Sequence, residues 1–160
     1  MTGADAALFR QLLGRFATGV TVITTRNAAG LPEGMTASSV ASVSLEPPLL
    51  LVSVDRQNVM HQALANASHF IVNVLAADQE ALSRRFAELE DKRFDGVRYH
   101  TGTLGLPILD GVLAHIECAK HSAVEAGDHT VYLGLVTGGS VTDGRPLLYY
   151  RGGYANLSGS

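Results

Sequence analysis

Three short stretches hold the residue types that could do chemistry. The first is Gly127-Asp128-His129, set immediately before the apolar run 130–136. Gly and Asp are enough to make a turn. The imidazole of His129 is therefore surplus to the local backbone, and these residues alone leave open whether it faces solvent or a bound group. The second is His115-x-x-Cys118-x-x-His121, whose residue types are those of a zinc site. The third is 34–48 (GMTASSVASVSLEPP), where small side chains mix with hydroxyls. Such a segment lets a flat, acceptor-rich ring approach the backbone and offers N–H and O–H donors along the ring edge. A solvated strand edge has the same composition, so this stretch alone leaves both open.

The elements that carry these stretches decide among them. Residues 112–126 read as a strand, on which side chains alternate, so His115 and His121 share one face and Cys118 takes the other. The three cannot converge on one ion; Cys118 reads as a small buried apolar residue, and no metal is expected. Residues 130–141 read as the next strand, with the Gly-Asp-His corner between them. Apolar and β-branched runs at 20–25, 49–54 and 69–75 predict further strands. Residues 147–157 close the β pattern. Helices are predicted over 5–16, capped by Asp5 and ended by Gly19, with Leu8, Phe9, Leu12, Leu13 and Phe16 at helical spacing. Two more follow: 57–67, with Val59, Ala63 and Ala67 on one side, and 78–90, capped at Asp78, with Leu82, Phe86 and Leu89 sharing a face. Strands dominate and helices are inserts, which predicts an antiparallel barrel with attached helices rather than a doubly wound sheet. Asn73 interrupts the apolar strand 69–75 and needs a buried hydrogen-bonding partner.

Composition narrows the function classes. The 160 residues are 46% hydrophobic and 17% charged, enough for one folded domain over 1–160 with a real core. The net charge is −3 with no sustained basic run, which argues against nucleic acid and acidic membranes. One cysteine precludes an intrachain disulfide and suits a reducing cytoplasm. The start of the chain lacks the charged-then-apolar pattern of a signal peptide, and no apolar run nears the ~20 residues of a membrane span. A serine-hydrolase elbow, a P-loop and a Rossmann glycine fingerprint are all absent; 102–107 (GTLGLP) is only Gly-x-x-Gly.

Six blocks, taken in order, resemble a known family. They are 16–25 (FATGVTVITT), 34–54, 69–75, 83–87 (SRRFA), 127–136 (GDHTVYLGLV) and 147–157 (LLYYRGGYANL). Together, over about residues 8–157, they resemble the short-chain NAD(P)H:flavin oxidoreductases, the flavin reductase components of two-component flavin-dependent monooxygenases. The resemblance implies a mainly β, FMN-binding type split β-barrel, usually a homodimer. It further implies FMN or FAD as flavin, NADH or NADPH as hydride donor, and a monooxygenase partner that receives reduced flavin. By position, Met35, Thr36, Ala37, Ser38 and Ser39 would line the flavin ring, with backbone N–H groups of 35–39 as donors. Ser53, Val54, Asp55, Arg56 and Asn58 would run toward the phosphate. Arg85 and Phe86 would serve the phosphate end or the ring, although Phe86, on the apolar face with Leu82 and Leu89, reads first as core, and Asn58 reads also as the cap of the helix that follows. Gly127 and Asp128 would set His129 against the nicotinamide, with Tyr149 and Tyr154 nearby. Family members often carry Ser or Thr near position 59 as a phosphate contact; Val59 departs from this and shifts that role to Arg56 and Arg85. Hydride transfer between two cofactors needs positioning rather than a protein nucleophile. Split barrels of this kind also occur as FMN- or heme-binding proteins without reductase activity, and a pure interaction barrel is a third possibility.

Overall fold

The computed structural model describes residues 3–88 and 93–158. Its main element is a seven-stranded antiparallel sheet in the order β3-β2-β6-β9-β10-β5-β4. These strands are β2 (Thr21–Arg26), β3 (Pro32–Ala37), β4 (Val40–Leu45), β5 (Pro48–Asp55), β6 (His69–Val74), β9 (Ala114–Ala126) and β10 (His129–Val141). A second sheet joins β1 (Thr18–Gly19) to the hairpin β11 (Leu147–Tyr150) and β12 (Gly153–Asn156). A small ribbon pairs β7 (Tyr99–Thr101) with β8 (Pro107–Leu109). The helices are α1 (Ala6–Leu13), α2 (Val59–Asn66) and α3 (Glu80–Glu88).

The sheet is rolled, and one link shows it. Strands β3 and β4 lie at opposite ends of the strand order, yet only Ser38 and Ser39 join them in sequence. Three residue steps span at most about 11 Å, so the two edges must come together. Hydrogen bonding does not close the seam; chain connectivity does. Inside the roll, Ile23, Met35, Leu50, Val52, Phe70, Cys118 and Tyr132 form one buried cluster. On the outer side of β2, Val20, Val22, Leu75, Phe86, Leu109 and Leu147 form another. Strand β2 lies between the two, which explains why its β-branched run is buried on both faces.

The amphipathic pattern predicted helices correctly but not always their faces. In α1, capped by Asp5 and ended at Gly14 rather than Gly19, none of the apolar residues is buried, and Phe16 just beyond is 72% exposed. In α2, the Asn58 side chain accepts the Met60 N–H and sets the helical phase. Met60, Ala63 and Leu64 turn inward, whereas Val59 is exposed. Helix α3 begins at Glu80, so Asp78 is not its cap; Leu89 lies outside the described residues. Segment 34–48 divides into β3 and β4, and 147–157 into the β11–β12 hairpin. Sequence 102–107 makes the turn between β7 and β8. Asn73 is fully buried: its amide donates to the Val22 carbonyl and Thr24 Oγ1, both at 3.0 Å, and accepts from the Leu109 N–H at 2.9 Å. Cys118 is buried in β9, where desolvation pushes its thiol up to about 12.

Candidate functional site

The seam opens onto a cleft of about 680 Å³. Ser38, Ser39 and Ser53 form its floor, with Ala41 and Leu51 beside them. The alternation of β5 explains why. Leu50, Val52 and Val54 point into the barrel, so Leu51, Ser53 and Asp55 face outward. The Ser39 hydroxyl donates to the Ser53 carbonyl at 2.8 Å, and the Ser53 N–H donates to the Ser39 carbonyl at 3.2 Å. Two stretches fourteen residues apart are thus clamped at the split. Phe9, Leu13 and Phe16 supply an apolar wall from the α1 segment, and Tyr149, Arg151 and Gly152 supply the wall from the β11–β12 hairpin.

Hydrogen bonds and ring contacts brace the hairpin wall. Thr36 Oγ1 donates to the Ser83 carbonyl at 2.6 Å, tying β3 to α3. Ser83 Oγ lies 2.8 Å from the Tyr154 hydroxyl. The Arg84 guanidinium stacks 4.8 Å from the centre of the Tyr154 ring and pairs with Glu80 at 2.7 Å. That hydrogen bond to Glu80 leads the causes that raise the Arg84 pKa further. The Tyr154 ring in turn meets Tyr149 edge-on, with centroids 5.5 Å apart. Tyr149 in the cleft is therefore positioned through Tyr154 by α3.

The Gly-Asp-His corner sits at the end of the same outer face. His129 is the cross-strand neighbour of Asp55, and Val131 is that of Ser53. His129 is thus displaced from Ser53 by two residues, about 7 Å along the strand. Its Nδ1 lies 2.7 Å from Asp128 Oδ1, and this hydrogen bond holds the Asp128 carboxyl below its usual range. Gly127 takes a positive φ of 64°, which glycine adopts without strain. The Arg56 backbone N–H donates to the Asp128 carbonyl at 3.1 Å, and its guanidinium donates to the Gly127 carbonyl at 2.7 Å. The corner and the 53–58 stretch form one unit.

Several expected ligand contacts face elsewhere, for identifiable reasons. Met35 and Ala37 alternate inward on β3, and Val54 does the same on β5, so these side chains pack in the barrel core and only their backbone is left for a ligand. Phe86 is 1% exposed, stacked edge-on against Phe94 at 5.0 Å and pressed against Gly34; its ring is a core element, not a wall of the cleft. Asn58 caps α2. Arg85 lines a separate groove of about 560 Å³ with Arg98 and Asp110, and donates to the Arg93 carbonyl at 2.7 Å and to the Asp95 carbonyl.

Sequence reasoning missed Thr18, Arg10 and Arg151. Thr18 Oγ1 is buried at the cleft and has no hydrogen-bond partner among the described residues. Its orphaned hydroxyl, with those of Ser38 and Ser53, makes a donor set that fits the carbonyl and nitrogen edge of a flavin ring, while the Ser39 hydroxyl is committed to the Ser53 carbonyl. Thr18 falls inside the 16–25 block, but nothing in its spacing separates it from Thr21, Thr24 or Thr25. No spacing connects Arg10 with Arg151 either, because α1 and the closing hairpin bring them to the cleft from opposite ends of the chain.

Comparisons with known proteins identify the family and the fold. Residues 13–158 match the family model described as a flavin reductase like domain. The chain belongs to that family. This flavin reductase domain is 42% identical over 156 residues to the FMN reductase (NADH) SmoA of Agrobacterium fabrum, covering 98% of this chain and 88% of that one. It is likewise 42% identical to HsaB of Rhodococcus jostii, the reductase subunit of a flavin-dependent monooxygenase, over 96% of this chain and 78% of that one. Among solved structures, the NADH:FAD oxidoreductase SgcE6 of Streptomyces globisporus, in complex with NAD and FAD fragments, superposes with a TM-score of 0.91 at 40% identity. That match covers 96% of this chain and 93% of the other. The mostly β fold with its split seam is the split-barrel type. No described helix is long and apolar enough to cross a membrane.

Proposed function

We propose that this flavin reductase transfers reducing equivalents from NAD(P)H to FMN or FAD in the cleft at the seam. The reduced flavin then passes to a partner monooxygenase. The carrying observation is the convergence at the split of Ser38, Ser39 and Ser53 with the orphaned Thr18 hydroxyl and Tyr149. When bound, the nicotinamide supplies the hydride and the flavin ring accepts it.

The protein's part is positioning. Ser38 and Thr18 present hydroxyl donors to the ring edge, with the backbone of residues 35–39 behind them. Donors fixed before reaction favour a ring that gains negative charge. Phe9, Leu13 and Phe16 exclude water from the cleft, and Tyr149 on the hairpin wall faces the nicotinamide side. His129, held by Asp128, orients the nicotinamide; it is not asked to move a proton. Asp55, Arg56 and Asn58 lie at the end of β5 leading to α2, where a phosphate would meet a helix N-terminus. Arg85, in its separate groove, is a further candidate for a phosphate contact.

A homodimer accompanies this reading. Leu45 and Val141 are 93% and 83% exposed and line one apolar groove beside the β4 edge. Sedimentation gives the mass directly, and Leu45→Asp is expected to lower it to that of a monomer. For the activity, protein is mixed with NADH or NADPH and with FMN, FAD or riboflavin, and NAD(P)H absorbance is followed. Oxidation well above the protein-free control is expected with at least one pair. No oxidation with any pair refutes the reductase and leaves a flavin-binding protein.

A further inference from the structure

The cleft at the seam has a charge that its apolar lining conceals. Arg10 and Arg151 both line it, and no carboxylate does among the described residues. The other arginines and the lysine of the described chain, Arg15 excepted, are committed elsewhere. Arg26 holds the Gly30 and Gly105 carbonyls, Arg56 holds Gly127, Arg84 pairs with Glu80, and Arg98 pairs with Asp110. Lys120 donates to the Leu64 and Ala65 carbonyls at the end of α2, and Arg85, Arg93 and Arg145 are also engaged. Only Arg10, Arg15 and Arg151 have side chains without a partner among the described residues, and two of these three share the cleft. A paired positive charge in an acid-free cleft is out of keeping with a chain of net charge −3.

The placement of Arg151 adds a second observation. It takes a φ of 53°, in the left-handed region that non-glycine residues seldom adopt, at the turn between β11 and β12. Gly152 follows at φ 77°, the pair of positive angles a tight hairpin turn requires. Either Gly or Asn would satisfy that turn more cheaply than Arg. The backbone N–H of Arg151 donates to the Gly14 carbonyl at 2.9 Å, which locks the turn to the end of α1, the helix whose last turn holds Arg10. The two arginines are therefore carried on elements fixed to each other.

We propose that Arg10 and Arg151 form an anion subsite for the pyrophosphate of the nicotinamide dinucleotide, separate from the flavin phosphate end near Arg56. Arginine forks suit pyrophosphate oxygens, which can be gripped from two sides. Tyr149 lines the same wall two residues before Arg151, so a nicotinamide beside Tyr149 leaves its pyrophosphate at the hairpin tip. This rests on the proposed reductase function, and the test separates the two. ADP-ribose carries the pyrophosphate but no nicotinamide; its binding to the protein without flavin is measured by calorimetry for the wild type, Arg10→Gln and Arg151→Asn. Asn tolerates the left-handed turn, and the circular dichroism and melting temperature of each variant check its fold. Each folded variant is expected to bind ADP-ribose about tenfold or more weakly, the scale of a lost charge-assisted hydrogen bond. With riboflavin as acceptor, the KM for NADH is expected to rise by a like factor with little change in kcat. Equal ADP-ribose affinity in all three proteins, or no binding by the wild type, overturns the subsite. Variants that weaken FMN but not ADP-ribose move it to the flavin phosphate and overturn the assignment. A wild type that binds ADP-ribose but oxidises no NADH refutes the reductase and leaves the subsite standing.

Discussion

The hydrogen bond between Ser83 and Tyr154 is expected to show strong coupling in a double-mutant cycle. The Ser83 side chain is fully buried, and its one hydrogen bond among the described residues is the 2.8 Å contact to the Tyr154 hydroxyl. Tyr154→Phe keeps the ring that meets Tyr149 and Arg84 but strands Ser83 Oγ without a partner. Leaving a buried hydroxyl unsatisfied costs about 1–3 kcal/mol. For a chain of this size that is about 2–4 °C in Tm per kcal/mol, or roughly 2–12 °C in all. Ser83→Ala strands only the half-buried Tyr154 hydroxyl, which can turn toward water, so about 0.5–1.5 kcal/mol is expected. Once either partner is gone the other has nothing to lose, and the double variant should fall short of the sum by about 1 kcal/mol. Urea unfolding of the four proteins measures all three differences. Additivity within about 0.3–0.5 kcal/mol would refute the bond as a brace. Tyr154→Ala also removes the edge-on support of Tyr149 and should raise the KM for NADH, an effect that Tyr154→Phe should not show.

Three further outcomes are expected. His129→Ala should raise the KM for NADH far more than it weakens flavin binding; an unchanged NADH titration removes His129 from the nicotinamide side. The same variant should return the Asp128 carboxyl upward to its ordinary range in an NMR titration. Because folding lowers that pKa, the stabilisation is present above the ordinary carboxylate pKa and is lost as pH falls through the lowered one; the wild type's advantage should vanish in acid. Arg56→Ala should weaken FMN binding in a fluorescence titration, and an unaltered affinity takes Arg56 out of the phosphate end. Asn73→Ala deprives the Leu109 N–H of its acceptor and Val22 and Thr24 of a donor. Each buried group left unpaired costs about 1–3 kcal/mol, so a melting temperature equal to that of the wild type would mean that β8 does not depend on this amide.

The sequence shows which elements exist better than it shows what they face. Hydrophobic period places α1 correctly, yet its apolar residues lie open, because a period reports a face and not a partner. In α2, the Asn58 cap rather than the apolar spacing sets the phase, and Val59 turns outward as a result. The run 49–54 looks uniformly buried, but alternation along β5 sends Leu51 and Ser53 to the cleft. The same alternation takes Met35, Ala37 and Val54 from the expected ligand contacts into the core. Ser38, Ser39 and Ser53 could be named from sequence because their blocks are local, and the structure places them in the cleft, with His129 at the end of the same outer face. Arg10, Thr18 and Arg151 were not, because only the folded sheet makes them neighbours.

The position of the cleft follows from the seam. A closed barrel satisfies every strand edge, whereas an open edge leaves backbone donors and acceptors exposed. Here the two edges are tied by Ser38 and Ser39, a link too short to let them part and not itself part of either strand. Small residues at the link keep side-chain bulk out of the gap, so a flat ring can reach backbone that a bulkier pair would cover. Ser39 spends its hydroxyl on the Ser53 carbonyl, which fixes the link to β5 while the Ser38 side chain stays directed to the cleft. The structural weakness of the fold and its ligand chemistry thus coincide in two residues. Replacing Ser39 with Ala would loosen the link from β5, whereas replacing Ser38 would act on the ligand alone. Ser38→Val should therefore weaken flavin binding at an unchanged melting temperature, and Ser39→Ala should lower both.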